Sequence, residues 1–153
     1  MSSTLFLAIS FNTFILIENM GVVYIIYIAL ITVMTDTFAY AGGSLIGRHK
    51  LCPKISPNKT VEGAVIGSLV GTIIPVMFYS LIITTNENIL VVVLITLLLS
   101  VIGQLGDLVF SSIKRYYKVK DYSNIIPGHG GILDRLDSLI FVALTFILFM
   151  NIL

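Results

Sequence analysis

The chain has 153 residues, 57% of them hydrophobic and 11% charged, with a net charge of +1 and a mean hydropathy of +1.03. A soluble domain carries roughly 25% charged residues, so the composition excludes an ordinary soluble globule and points to a chain embedded in a bilayer. Cys52 is the only cysteine, which excludes an internal disulfide and a zinc–thiolate cluster, and the net charge gives no sign of a nucleic-acid partner.

A membrane-crossing helix needs about 20 mostly apolar residues. Five stretches read this way, which predicts an all-α, polytopic membrane protein with residues 1–153 as one integral-membrane domain. The first, 4–17, is short and interrupted by Ser10, Asn12 and Thr13. No basic segment or small-residue cleavage site marks it as a removable signal peptide. The second is 22–41. The third, 61–84, contains Pro75, where a kink is expected. The fourth is 89–111 and the fifth 132–153. Strands are not expected, because the apolar runs are long and show no period-two alternation.

The connections alternate in character. Residues 18–21 and 85–88 lack lysine and arginine, whereas the 42–60 and 112–131 loops hold eight of the nine basic residues. The positive-inside rule places those two loops in the cytoplasm and the C-terminus outside.

Several acids stand where a membrane protein carries them at a cost of roughly 2.5–3.5 kcal/mol for a central aspartate. Asp36 follows the apolar run of the second helix. Asp107 lies near the end of the fourth, in GQLGDL. Asp134 and Asp137 open the fifth, with an i, i+3 spacing that puts both on one face. Glu62 opens the third. Glu62 and Asp134 could each simply complement a helix N-terminus, but Asp107 sits at the unfavourable C-terminal side. Carboxylates converging from several helices at one depth suit Mg²⁺, a hard cation usually held by one or two carboxylates plus substrate phosphates.

The segment 111–137 concentrates the remaining chemistry. His129 lies in Pro127-Gly128-His129-Gly130-Gly131, which reads as an anion-binding helix start or as a plain turn and cap. Lys114, Arg115 and Lys120 suit phosphate, or mark topology as Lys118 does. Arg135 has the fork geometry for phosphate or for pairing with Asp107 or Asp137. In the other basic loop, Lys54, Ser56, Asn58, Lys59 and Thr60 offer donors immediately before a helix. Thr60 also reads as an N-cap. The glycine spacing of a Walker A loop is absent.

Together these residues resemble the phosphatidate cytidylyltransferase (CDP-diacylglycerol synthase) family. Its signature runs Ser111-x-Ile113-Lys114-Arg115, Lys120-Asp121, Ser123, Ile126-Pro127, His129-Gly130-Gly131-Ile132 and Asp134-Arg135-Leu136-Asp137. A second block, Asp36-Thr37-x-Ala39-Tyr40 through Gly47-Arg48-His49-Lys50 to Pro53–Thr60 and Glu62-Gly63, and the short Gly106-Asp107-Leu108, are similar to the same family; Asn58 stands where many members carry glycine.

The resemblance implies transfer of the cytidylyl group of CTP to phosphatidic acid, giving CDP-diacylglycerol and pyrophosphate in phospholipid biosynthesis. It implies Mg²⁺, with room for a second monovalent or divalent cation, at Asp107, Asp134 and Asp137 with Asp36. Lys114, Arg115 and His129 join the aspartates as catalytic residues. Lys54, Ser56, Asn58, Lys59, Thr60, Lys120, Gly130, Gly131 and Arg135 would bind substrate. The expected setting is a bacterial cell membrane with the site facing the cytoplasm. A homodimer or a complementing N-terminal segment is expected as partner, and no nucleic acid.

Family members usually carry further membrane helices before this region, so the chain reads as their C-terminal portion, from a fragment, a truncated gene or one half of a split enzyme. Three readings compete with the transferase. These are a CTP-dependent transferase or kinase acting on another lipid, an ion-handling transporter, and a remnant inactive alone.

Overall fold

The structure, a computed structural model, describes residues 2–83, 87–119, 121–123 and 133–150; for residues 2–5, 7 and 135 it describes the backbone only. Helix α1 spans Ser2–Met20 and α2 Val22–Ile46, separated by Gly21 at φ 136°. A hairpin follows, β1 Lys50–Cys52 and β2 Ser56–Thr60, and leads into α3, Val61–Gly71. Then come α4, Ile73–Phe78, a π-helical turn at Tyr79–Ile83, α5, Ile89–Tyr116, and α6, Leu133–Phe149.

The all-α architecture expected from the sequence is present, with one correction. The loop before α3 is not wholly irregular: β1 and β2 pair antiparallel, Lys50 opposite Thr60 and Cys52 opposite Ser56, with a bulge between. Each strand is too short to show alternation, so no periodic signal announced it. Three stretches, Val22–Ile46, Val61–Ile83 and Ile89–Tyr116, are long and apolar enough to cross a membrane among the described residues. The apolar part of α6, Leu136–Phe149, is shorter.

The third stretch breaks as its proline dictates. Pro75 has no N–H for the Gly71 carbonyl one turn back. Helix α3 accordingly ends at Gly71, and α4 restarts at Ile73 with Pro75 in its first turn, where the missing donor costs nothing.

In lipid, helices gain little by burying apolar side chains against each other. Close approach through small residues and interhelical hydrogen bonds takes over. Both devices are present. Gly63, Gly67 and Gly71 lie one turn apart along α3 and face Gly43, Ala39 and Thr35 on α2. On α5, Thr96, Ser100 and Gln104 repeat every four residues. Thr96 bonds Tyr27 of α2 (2.7 Å), Ser100 bonds Thr35 of α2 (2.7 Å), and Gln104 donates to Ser68 of α3 (2.7 Å). Helix α6 seats Val142 and Phe141 over Gly103 and Gly106 of α5. The apolar core joins Ile17 of α1, Tyr27, Ile28 and Ile31 of α2, Leu99 of α5 and Phe146 of α6.

Helix α5 has 28 residues, about 42 Å at 1.5 Å per residue. A hydrocarbon core is about 30 Å thick. Counted from Ile89, the core is crossed near Asp107, and the last turns, with Lys114 and Arg115, lie beyond it. The helix stops in a Schellman turn, Val119 N–H to Lys114 O (3.0 Å) and Lys118 N–H to Arg115 O (3.0 Å), with Lys118 in the left-handed position at φ 58°.

Candidate active site

At this end of the helices, α2, the hairpin, α3 and α5 enclose a cleft of about 550 Å³. Two loops frame it. The hairpin is fixed to α3 at both of its ends. Thr60 caps α3 by accepting the Gly63 N–H (3.1 Å), as its sequence position predicts. Glu62 accepts from the Arg48 N–H (3.1 Å) and the His49 N–H (3.2 Å) and meets the His49 ring Nδ1 at 2.6 Å. The second loop touches the first: Arg115 Nε donates to the Ile55 carbonyl in the hairpin turn (3.2 Å), and its guanidinium also donates to Val119 O (3.3 Å). The two basic loops therefore lie at one end of the helices.

Within the cleft, Asp36 and Tyr40 come from α2, Asn58, Lys59 and Thr60 from β2, and Gln104 and Asp107 from α5. Lys59 pairs with Asp107, which also accepts from Ser111 Oγ (3.3 Å). Asp36 lies within electrostatic reach of both Lys59 and Asp107. A second acidic group stands on the α6 side of α5. Lys114 Nζ lies 2.8 Å from Asp134 Oδ1 and 3.9 Å from Asp137 Oδ2, so the i, i+3 pair does share one face. The lysine is buried, with the Tyr122 ring 5.4 Å from its Nζ. Asp134 also accepts the Tyr122 backbone N–H (2.9 Å), and Asp137 accepts the Ser138 N–H (2.8 Å). Burial, and then the charges of Asp134 and Asp137, push the Tyr122 phenol above its ordinary value. It keeps its proton and donates to the Phe110 carbonyl (3.4 Å). Asp137 in turn feels Asp107 and Asp36, so the two groups form one charged cluster.

Asp36, Asn58, Lys59, Thr60 and Asp107 thus meet in the cleft, and Lys114, Asp134 and Asp137 meet beside it. The Thr60 hydroxyl is already engaged as a cap. Lys54 and Ser56 sit at the hairpin turn and do not line the cleft. Arg115 ties the loops together. Lys120, His129, Gly130 and Gly131 lie outside the described residues, as does the Arg135 side chain. Two participants escaped the sequence reading. Gln104 was visible as an amide inside an apolar helix, one turn before Asp107. The backbone N–H of Tyr122 carries no sequence signal at all.

The donors suit a metal in part. Among the described residues no three His, Cys, Asp or Glu side chains gather around one point; the aspartates are spread over lysine-bridged groups. An all-oxygen set offering one or two carboxylates at a time fits Mg²⁺ that takes its other ligands from substrate phosphates and water.

A profile of the cytidylyltransferase family matches residues 1–153. The chain belongs to that family. It is 47% identical over 140 residues to a phosphatidate cytidylyltransferase of Staphylococcus haemolyticus, covering 92% of this chain and 54% of the relative. A protein of the same name from Staphylococcus aureus is 48% identical over 141 residues, with the same coverage, and one from Staphylococcus epidermidis is 46% identical over 140. The chain spans about half the length of the curated relatives it matches. Its apolar helices make it an integral membrane protein.

Proposed function

We propose that this chain carries the reactive end of a phosphatidate cytidylyltransferase, moving the cytidylyl group of CTP to phosphatidic acid. The observation that carries the reading is the cleft at the loop end of the helices, where Lys59 and Asp107 stand together between a basic hairpin and the α6 aspartates. Two polyanions must meet there, so charge repulsion is the first barrier. Lys59 and Lys114, with Lys54 at the hairpin turn and Arg115 at the end of α5, supply positive potential. A phosphate oxygen of the lipid attacks the α-phosphorus of CTP. The new P–O bond forms as the bond to the β-phosphate oxygen breaks, and pyrophosphate leaves. No protein nucleophile is needed; positioning and electrostatic stabilisation carry the rate.

Asp107, Asp134 and Asp137, with Asp36, are the residues that would hold Mg²⁺, a few at a time. When bound, the ion neutralises phosphate charge. Asp107 holds Lys59 in the cleft, and the Asp134–Asp137 pair holds Lys114 in place beside it. Acyl chains of the lipid lie among the helices while its phosphate reaches the polar end. The lysines and arginines of the two basic loops support a cytoplasmic orientation in a bacterial cell membrane.

The test is transfer from α-labelled CTP to phosphatidic acid by the chain reconstituted in lipid, with and without EDTA. Lipid-linked, EDTA-sensitive label with release of pyrophosphate is expected. Asp134→Asn and Asp137→Asn should each abolish it while the protein still inserts. Full activity in both variants sinks the metal assignment. Release of CDP with a phosphorylated lipid would make the chain a lipid kinase. No label, in vesicles where a full-length relative is active, refutes transfer by this chain.

A further inference from the structure

Gln104 is the last rung of the polar ladder on α5, and only half of its amide is used. Its Nε2 donates to Ser68 Oγ (2.7 Å) and to the Ala64 carbonyl (3.2 Å), both on α3. A backbone carbonyl can only accept, so the Gln104 atom facing it must be the nitrogen. The carbonyl oxygen Oε1 is thereby turned away from α3, and among the described residues nothing donates to it.

That oxygen is not sealed in. No side-chain polar atom among the described residues is both buried and without a partner, although Gln104 as a whole is only 9% exposed. Two spaces adjoin the residue. The crevice against Ser138 and Val142 has no room for a water. The other is the cleft of about 550 Å³, the space with room for a donor to reach Oε1. The oxygen is a rigid acceptor, aimed by two bonds from its own nitrogen, in a nearly dry wall.

An acceptor needs a donor. Gln104 precedes Asp107 by three residues, which places it about 4.5 Å deeper along the helix from the loop end. With phosphates at Lys59 and Asp107, the part of the nucleotide that reaches inward is the nucleoside. Ionised phosphates and the ester groups of a diacyl lipid are acceptors and gain nothing from Oε1. The nucleoside of CTP carries donors, the two ribose hydroxyls and the 4-amino group of cytosine. We propose that Gln104 is a specificity-determining residue, its carbonyl oxygen accepting a hydrogen bond from a donor on the nucleoside of CTP. The inference rests on the cleft being the nucleotide site proposed above.

The experiment is displacement of labelled CTP from the reconstituted chain by CTP, UTP, 2′-deoxy-CTP and 3′-deoxy-CTP. UTP lacks the amino donor, and each deoxynucleotide lacks one hydroxyl. The wild type should discriminate against one of the three by about tenfold, the scale of one lost hydrogen bond in a desolvated site. In Gln104→Met that gap should close to within about twofold, while the other ratios stay. A ratio between nucleotides is not moved by a smaller folded fraction. If Gln104→Met yields no binding-competent protein, Ser68→Ala, which frees the amide without removing it, should narrow the same gap. A wild type that treats all four nucleotides alike overturns the inference, and so does a gap that survives these substitutions. Discrimination without cytidylyl transfer would sink the proposed reaction and leave this inference standing; transfer without discrimination would do the reverse.

Discussion

Replacing Gly67 by alanine sets two effects of opposite sign against each other. Intrinsic helix propensity favours alanine by about 0.8–1.0 kcal/mol. The α2–α3 seam opposes it. A Cβ at position 67 would stand 2.7 Å from the Ala39 Cβ, 2.7 Å from the Thr35 carbonyl oxygen and 3.1 Å from the Ala39 Cα. Comfortable carbon contacts lie at about 3.5–4.0 Å, so the helices must part by roughly 1 Å at the middle of the seam. Two of the three obstacles are backbone and cannot rotate aside. Overpacking costs about 1–3 kcal/mol; with two backbone obstacles the upper part of that range, about 2–3 kcal/mol, applies, and the net expectation is a loss of roughly 1–2 kcal/mol after the propensity gain. Unfolding of the purified protein by titration with SDS, followed by circular dichroism, reads the difference directly. The double variant Gly67→Ala, Ala39→Gly should recover part of the loss, because one of the three contacts disappears with the Ala39 methyl. A Gly67→Ala protein as stable as the wild type, or more so, refutes the seam as the element holding α2 to α3.

Four further outcomes are expected. Lys114→Met takes the ammonium from between Asp134 and Asp137 (2.8 and 3.9 Å) and should cost about 3–5 kcal/mol in the same titration, the penalty for breaking a buried charge pair from one side. Lys118→Gly relieves a left-handed backbone at φ 58° and should stabilise the protein by about 1 kcal/mol, seen as a raised midpoint. Thr60→Ala removes the cap on Gly63 and should lower stability by about 1 kcal/mol, whereas Asn58→Ala, an exposed lining residue, should stay within about 0.5 kcal/mol. If both instead weaken CTP displacement and neither alters stability, the Thr60 hydroxyl is a substrate ligand rather than a cap.

The long apolar runs made the helices legible, since only a helix satisfies its own backbone in lipid. Their ends were less so. Helix α2 continues to Ile46 and α5 to Tyr116, past the points where the apolar pattern stops, because hydrogen bonding does not end where hydropathy does. Asp134 and Asp137 were correctly placed together by their spacing, a property local to one helix. Their partner was not legible in that way: Lys114 lies on another helix, and Asp107 on α5 pairs with Lys59 on β2. The spacing of the glycines at 63, 67 and 71 escaped the sequence reading, and the surface they meet on α2 required the fold. The hairpin left no mark because its strands are three and five residues long.

The hydroxyl and amide bonds from Thr96, Ser100 and Gln104 have a consequence for depth. Lipid can replace an apolar contact with another at little cost, so greasy helices slide past one another easily. Three directional bonds spaced one turn apart cannot be remade after a shift of one residue, about 1.5 Å; all three break together. They act as a vernier that locks the axial position of α5. Asp107, less than one further turn along, inherits that setting, and the chemistry is held at a fixed distance from the water whatever the thickness of the surrounding bilayer.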